Sequence, residues 1–565
     1  MQQAAGSADS TPRPIEEIAA EAGLAADEIE RRGDLVAKVR LGALARFASQ
    51  PQGRYVVVTA VTPTSHGEGK TTTVVGLVDA LRRRGRKAFG CVRQPSLGPT
   101  LGMKGGGAGG GRSLILPTGA IGLHLTGDVH AVEAAHNLLA AALDARLYHE
   151  SRRSDADLSG AGLDRIDIDK RSIRWPRVMD MNDRALRRIR LSVGDHATER
   201  EAHFEVAAAS EVMAVLALAA DLRDLRERLG RIVVAHTRPG RPVTAATLGA
   251  AGAMTALLRD ALMPNLLQTA ERAPVFVHAG PFANLSTGCS SVIADRLALG
   301  LAGERGYVVT EAGFGADIGL EKFVHLKCRS AALVPGCAVL VATVRALAYQ
   351  GAAAGRTPGE ALEAGCENLA WHVGIARGFG LPVVVAVNRY PDDTDAEVAL
   401  VLGRAFEFGA EAAVPTDHFA LGGAGAAALA EAVDCVWRRA PLRFLYEPGD
   451  PLPAKVEAIA RAIYNADGVD WSEAAAGGLD AVRRDGADTL PVCIAKTPFS
   501  ISHDPALRNV PRGYRVPVRE VRPDFGAGHV LVMLGEVLRM PGLGMSPRFR
   551  ALDVDAASGR IVGLD

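Results

Sequence analysis

The run Thr62-Pro63-Thr64-Ser65-His66-Gly67-Glu68-Gly69-Lys70-Thr71-Thr72-Thr73 has the residue types and spacing of a phosphate-binding loop. Backbone N–H groups of such a loop, and of the helix start behind it, face a phosphate chain. Lys70 adds a point charge, and the Thr71 hydroxyl is placed to reach Mg²⁺. Thr64 stands where the usual GxxxxGK[ST] pattern has its first glycine. The candidate nucleotide-binding residues are Thr64, Ser65, His66, Gly67, Glu68, Gly69, Lys70 and Thr71, with Lys70 catalytic and Thr71 a metal ligand.

A second candidate site begins at Arg93-Gln94-Pro95-Ser96 and continues into Leu101-Gly102-Met103-Lys104-Gly105-Gly106-Gly107-Ala108-Gly109-Gly110-Gly111. So many glycines give up backbone entropy without packing anything, which excludes a regular helix or a good strand. A flexible linker is one reading. The other is an anion site, because Arg93 binds two oxygens at once, Lys104 adds charge, and Gly106 lets backbone approach closely. His124, Asp128 and His130 invite a metal reading, and equally a helix cap with paired strand histidines. Glu211 sits alone in an apolar helix and reads as a cap or ion-pair partner.

These residues need a scaffold. Tyr55–Thr59 is an apolar, β-branched run directly before the first loop, and Val74, Leu77, Val78 and Leu81 give a helical pattern after it. Further short apolar runs occur at 87–92, 232–235, 275–278, 307–310, 338–342, 382–387 and 412–414, with helix-length segments between them. Runs without polar alternation imply a mostly parallel, doubly wound sheet, with its ligand loops at one carboxyl edge. The helix from Phe323 carries Lys322, Lys327 and Arg329, which reads as a solvated face. The stretch 148–175 reads as a charged surface excursion.

At 565 residues the chain is too long for one core. Lys+Arg and Asp+Glu balance at 64 each, so no net field favours nucleic acid or an anionic membrane. The seven cysteines are scattered without a CxxC pair, which fits reduced thiols in a cytoplasm better than disulfides or zinc. We find no signal-peptide pattern and no membrane-spanning run. The expected units are a tail with short helices (1–32), a P-loop nucleotide domain (33–365), an α/β domain (366–450) and a C-terminal mixed α/β domain (451–565).

TPTSHGEGKTTT, PSLGPTLGMKGGGAGGG, GPFANLSTGCSSVIA, VVTEAGFGADIGLEKF, FGLPVVVAVNRYPDDTDAE and PVCIAKTPFSIS, in this order, resemble the formate–tetrahydrofolate ligase family. The resemblance implies a P-loop NTPase-like α/β fold, with 33–365 as the P-loop nucleotide and formyl phosphate domain and 366–450 as the folate-binding α/β domain. It also implies ligation of formate to tetrahydrofolate through formyl phosphate, with ATP and Mg²⁺ and activation by K⁺ or NH₄⁺. A cytoplasmic homotetramer is expected. It assigns ATP to residues 64–71, formyl phosphate to Arg93, Lys104 and Gly106, with Arg93 catalytic, and a stacked pterin to Tyr390 and Phe419. Five positions depart from the family pattern: Tyr390 for Phe, Phe419 for Trp, Gln94 for Glu, Thr287 for His and His325 for Asp. They keep two alternatives open. One is a divergent P-loop carboxylate-activating ligase with another substrate; the other is a catalytically degenerate nucleotide- or folate-binding paralogue.

Overall fold

The computed structural model describes residues 11–65, 67–102, 107–192, 199–535 and 537–563. Its centre is a 12-stranded sheet. Ten of the strands form its path: β1 (Ile29–Arg31), β2 (Ala37–Val39), β3 (Arg54–Ala60), β4 (Ala88–Val92), β5 (Asn265–Thr269), β6 (Pro274–Val277), β7 (Tyr307–Glu311), β8 (Cys337–Ala342), β9 (Val383–Asn388) and β10 (Ala412–Thr416). Their order is β1-β2-β5-β6-β4-β7-β3-β8-β9-β10. From β6 to β10 every neighbouring pair is parallel.

β3 shows why this is an α/β fold. Tyr55 and Val57 join one apolar cluster, while Val56, Val58 and Ala60 join the cluster on the other face. A strand buried on both faces reads as an unbroken apolar run. Helix α1 (Lys70–Arg83) covers the second face with Val74, Val75, Leu77, Val78 and Leu81. Full burial of each such side chain contributes about 1.5–3 kcal/mol.

Three sequence expectations need correction. The run at 232–235 does not join the parallel sheet: Val233–His236 pairs antiparallel with Pro242–Thr244 as a separate ribbon. The turn at Pro239-Gly240 brings the chain straight back, whereas a parallel neighbour needs a crossover of roughly a dozen residues. Conversely, β5 is a central strand that apolar counting misses, because Asn265 and Gln268 are polar yet buried and hydrogen-bonded to Asp128 and Arg13. The lysines of the Phe323 helix are not solvated. Lys322 and Lys327 have no exposed surface, and Lys327 Nζ meets Asp295 at 2.5 Å. Ala316–Leu320 and Phe323–Cys328 are π-helical, so the 3.6-residue spacing used to read a charged face does not hold there.

A second sheet, β11 (Gly468–Trp471), β12 (Val492–Ala495), β13 (Arg515–Asp524) and β14 (His529–Leu534), has the order β11-β13-β14-β12. It mixes parallel and antiparallel pairs. Among the described residues one helical run, His418–Val436, is long and apolar enough to cross a membrane. A 3₁₀ turn at Gly422–Ala426 interrupts it, and Leu429, Ala430 and Val433 pack into the core against β9 and β10.

Candidate active site

Because β6 to β10 are parallel, the loops after β4, β7, β3, β8, β9 and β10 leave from one edge. The first of them passes from β3 into α1. Gly69 takes a left-handed φ of 78°, and a Cβ there would stand 3.1 Å from Asn388 Nδ2 at the end of β9. Asn388 Nδ2 donates to the Glu68 carbonyl at 3.0 Å and to Thr73 Oγ1 at 3.1 Å. The loop is thus tied to a neighbouring strand end while α1 presents its first-turn N–H groups.

Thr71 Oγ1 donates to Glu311 Oε2 at 2.6 Å. Glu311 ends β7, between the strands that carry Arg93 and the phosphate loop. A hydroxyl and a carboxylate oxygen at one point are hard oxygen donors suited to Mg²⁺. The Glu68 carboxylate turns inward instead, with 1% of the residue exposed. His66, Lys104 and Gly106 lie outside the described residues.

Arg93 leaves β4, and its guanidinium reaches the Pro281 carbonyl at 3.4 Å. A Cβ built on Gly313 would stand 3.7 Å from Arg93 Nη1, which places the guanidinium beside the loop after β7. Asp180 anchors the continuation of the Arg93 loop, accepting from Ser96 Oγ and from Leu97 N. The described end of the glycine run packs on Phe419. A Cβ on Gly111 would stand 2.1 Å from the Phe419 carbonyl, which accepts from Arg112 N at 2.8 Å. The described end of the run is packed against the loop after β10.

Phe419 is 61% exposed and follows β10; Tyr390 is half-buried and follows the adjacent β9. The Arg345 guanidinium lies 4.4 Å from the Tyr390 ring centroid and donates to its hydroxyl at 3.0 Å. Phe314, which the sequence reading quoted within a motif but gave no role, is a third aromatic at this edge. It holds φ at 62°, a strained value for a bulky residue and a mark of functional loops.

His124 and His130 bond each other at 2.8 Å, while both Asp128 oxygens accept from Lys38 at 2.8 and 3.0 Å. Among the described residues no group of three or more His, Cys, Asp or Glu could hold a metal. Glu211 accepts from Gly526 N at 2.7 Å, joining its helix to the C-terminal sheet, and burial pushes its carboxyl up to about 8.

Four of the histidines buried among the described residues are held neutral by their surroundings. Burial pushes His136, His278, His372 and His418 each down to about 4 from the usual 6.5. His372 Nε2 is 3.0 Å from Thr62 Oγ1, and His418 Nε2 is 3.2 Å from Thr73 Oγ1, so two of them brace the phosphate loop. Between these values the unfolded chain binds more protons than the folded one, so acid favours unfolding. The imidazole contribution to the urea midpoint is expected to be complete above about pH 6.5 and to be lost progressively toward pH 4, while the Glu211 carboxyl, held up to about 8, lowers the midpoint as pH rises from about 4.5 to 8. A midpoint independent of pH across this window would contradict the burial of neutral imidazoles.

A model of the formate–tetrahydrofolate ligase family matches residues 2–565. The chain belongs to this family. It is 47% identical to formate–tetrahydrofolate ligase of Aeromonas hydrophila over 98% of both chains. It is 49% identical to the enzyme of that name from Roseiflexus sp., again over 98% of both. The human cytoplasmic C-1-tetrahydrofolate synthase is 45% identical over 98% of this chain and 65% of its own length.

The departures from the formate–tetrahydrofolate ligase pattern fall in different places. Gln94 is buried beside Arg93, and neither polar atom of its amide has a protein partner. Thr287 is likewise buried with its hydroxyl unpartnered. His325 is different. Its Nδ1 is 2.8 Å from Glu321, its Nε2 accepts from Leu445 N, and its ring stacks on Tyr446 at 4.6 Å. These contacts account for it as packing between the π-helix and the segment leading to the C-terminal sheet.

Proposed function

We propose that this chain joins formate to tetrahydrofolate at the expense of ATP, giving 10-formyltetrahydrofolate, ADP and phosphate. The observation that carries the reading is the meeting, at one sheet edge, of the Gly69-Lys70-Thr71 loop, Glu311 and Arg93. The position of the loop between a central parallel strand and α1 supports reading the arrangement as P-loop NTPase-like.

Formate is a weak electrophile because its carboxylate is charged and resonance-stabilised. A formate oxygen attacks the γ-phosphorus, the bond to the β-bridging oxygen breaks, and ADP leaves. Lys70 and the α1 N-terminus stabilise charge on the phosphoryl group in flight. The N10 amine then attacks the formyl carbon, the carbon–oxygen bond to phosphate breaks, and N10 gives up its proton. Arg93 holds phosphoryl oxygens through both steps, so the anhydride is kept beside the amine. Tyr390 and Phe419 supply flat faces for the pterin, Tyr390 with one face already taken by Arg345.

Thr71 and Glu311 would hold Mg²⁺, which when bound neutralises phosphate charge. Glu311→Gln is expected to weaken the Mg²⁺ dependence of ADP binding by about 10–100-fold. Titration of ADP affinity against Mg²⁺ checks this, and an unchanged dependence would remove Glu311 from the site. The family resemblance supports a cytoplasmic homotetramer and a monovalent cation (K⁺ or NH₄⁺) within this reading. The deciding experiment is formation of 10-formyltetrahydrofolate with a strict need for ATP, formate and tetrahydrofolate together. Formate-dependent ATP consumption without folate product would select another acceptor.

A further inference from the structure

Glu68 lies within the phosphate loop yet faces away from its outer surface. Its Oε1 accepts from Thr64 N at 2.8 Å and from Thr64 Oγ1 at 2.9 Å. Its Oε2 accepts from Thr343 Oγ1 at 2.6 Å. The residue is 1% exposed. Three donors on a buried carboxylate leave it badly placed to bind metal or to take a substrate proton.

The partners matter. Thr64 is the residue that replaces the first glycine of the usual pattern, and it is not among the residues with positive φ. Among its described residues the left-handed positions of this loop are Gly67 and Gly69, both at φ 78°. A loop without the first glycine cannot use a left-handed turn at its entry, so its entry must be fixed another way. Thr343 follows β8, the strand beside β3, and also caps the helix Val344–Gly351 by accepting from Ala346 N at 3.0 Å. The hydroxyl is therefore oriented by one helix and spent on one carboxylate.

We infer that Glu68 is a positioning residue: bridging Thr64 to Thr343, its carboxylate holds the entry of the phosphate loop in binding shape without touching the nucleotide. The inference rests on the reading that this loop holds ATP. Two effects oppose each other at Glu68. A carboxylate under the loop repels the triphosphate, while its charge-assisted hydrogen bonds are about twice as strong as neutral ones and fix the loop. If geometry dominates, removing the charge weakens nucleotide binding; if repulsion dominates, it strengthens it.

The test compares Glu68→Gln, Thr343→Val and Thr343→Ser with wild type, with Lys70→Ala as reference. The readouts are ADP dissociation constant by calorimetry, KM for ATP, kcat at saturating ATP, and thermal midpoint. Glu68→Gln is expected to raise the ADP dissociation constant and KM for ATP by roughly tenfold. Thr343→Val is expected to raise both by about fivefold, and Thr343→Ser to restore them, since only the hydroxyl is needed. KM for formate and for tetrahydrofolate should stay within about twofold of wild type, as expected for an effect confined to the nucleotide loop. Tighter ADP binding in Glu68→Gln, or unchanged ADP binding and KM with only a lower thermal midpoint, would overturn the inference. If Lys70→Ala keeps wild-type ADP binding and turnover, the underlying nucleotide reading fails instead, and the two failures are told apart.

Discussion

Lys70→Ala is expected to lower kcat for 10-formyltetrahydrofolate formation by about 10²–10³-fold, the scale set by removing one preorganised donor from developing charge. Lys70 is the first residue of α1, so its ammonium stands where the helix dipole already favours anions. Deleting the side chain leaves the dipole, the loop N–H groups and the Thr71–Glu311 pair in place. Nucleotide affinity should therefore fall less than turnover. The measurement pairs product formation at saturating substrates with calorimetric ADP binding. A variant that binds ADP within about tenfold of wild type but does not turn over assigns Lys70 to the transferring phosphoryl group. A variant with wild-type kcat would exclude the loop from the reaction.

The phosphate loop is legible in the sequence because it is local. The β3 run, the glycines and the start of α1 are contiguous, and apolar periodicity changes from strand to helix within twenty residues. What braces the loop is not local. Glu311 is 240 residues from Thr71, Thr343 is 275 from Glu68, and Asn388 is 315 from Thr73. Each is a single polar residue at the end of an apolar strand, and only the strand order makes them neighbours. The same limit applied to the lysines near Phe323: polar residue types predict solvent, and nothing in the chain near Lys327 announces Asp295. Rings at the edge were legible where a family motif carried them, as at Tyr390 and Phe419. Phe314 lies in such a motif too, yet no role for its ring was legible, because its signal is a backbone angle.

Lys496→Met is expected to destabilise the fold by about 3–5 kcal/mol. Lys496 follows β12, and Asp317 lies in the π turn after β7; both are fully buried, and Nζ meets Asp317 Oδ2 at 2.6 Å. Nζ also donates to the carbonyls of Thr497 and Ser500, so the lysine joins the C-terminal sheet to the active-site edge. Burial pushes the ammonium down in pKa and the Asp317 carboxylate pushes it back. Taking two ions out of water costs several kcal/mol each, and their attraction repays this only while both are present. Removing Lys496 leaves Asp317 charged, buried and short of its partner. Asp317→Asn with Lys496→Met should recover most of the loss, because neither charge is then stranded. Denaturant midpoints of the two single variants and the double variant close the cycle. A Lys496→Met protein within about 1 kcal/mol of wild type would show that water reaches this pair, and the ion pair would then not hold the C-terminal sheet against the active-site edge.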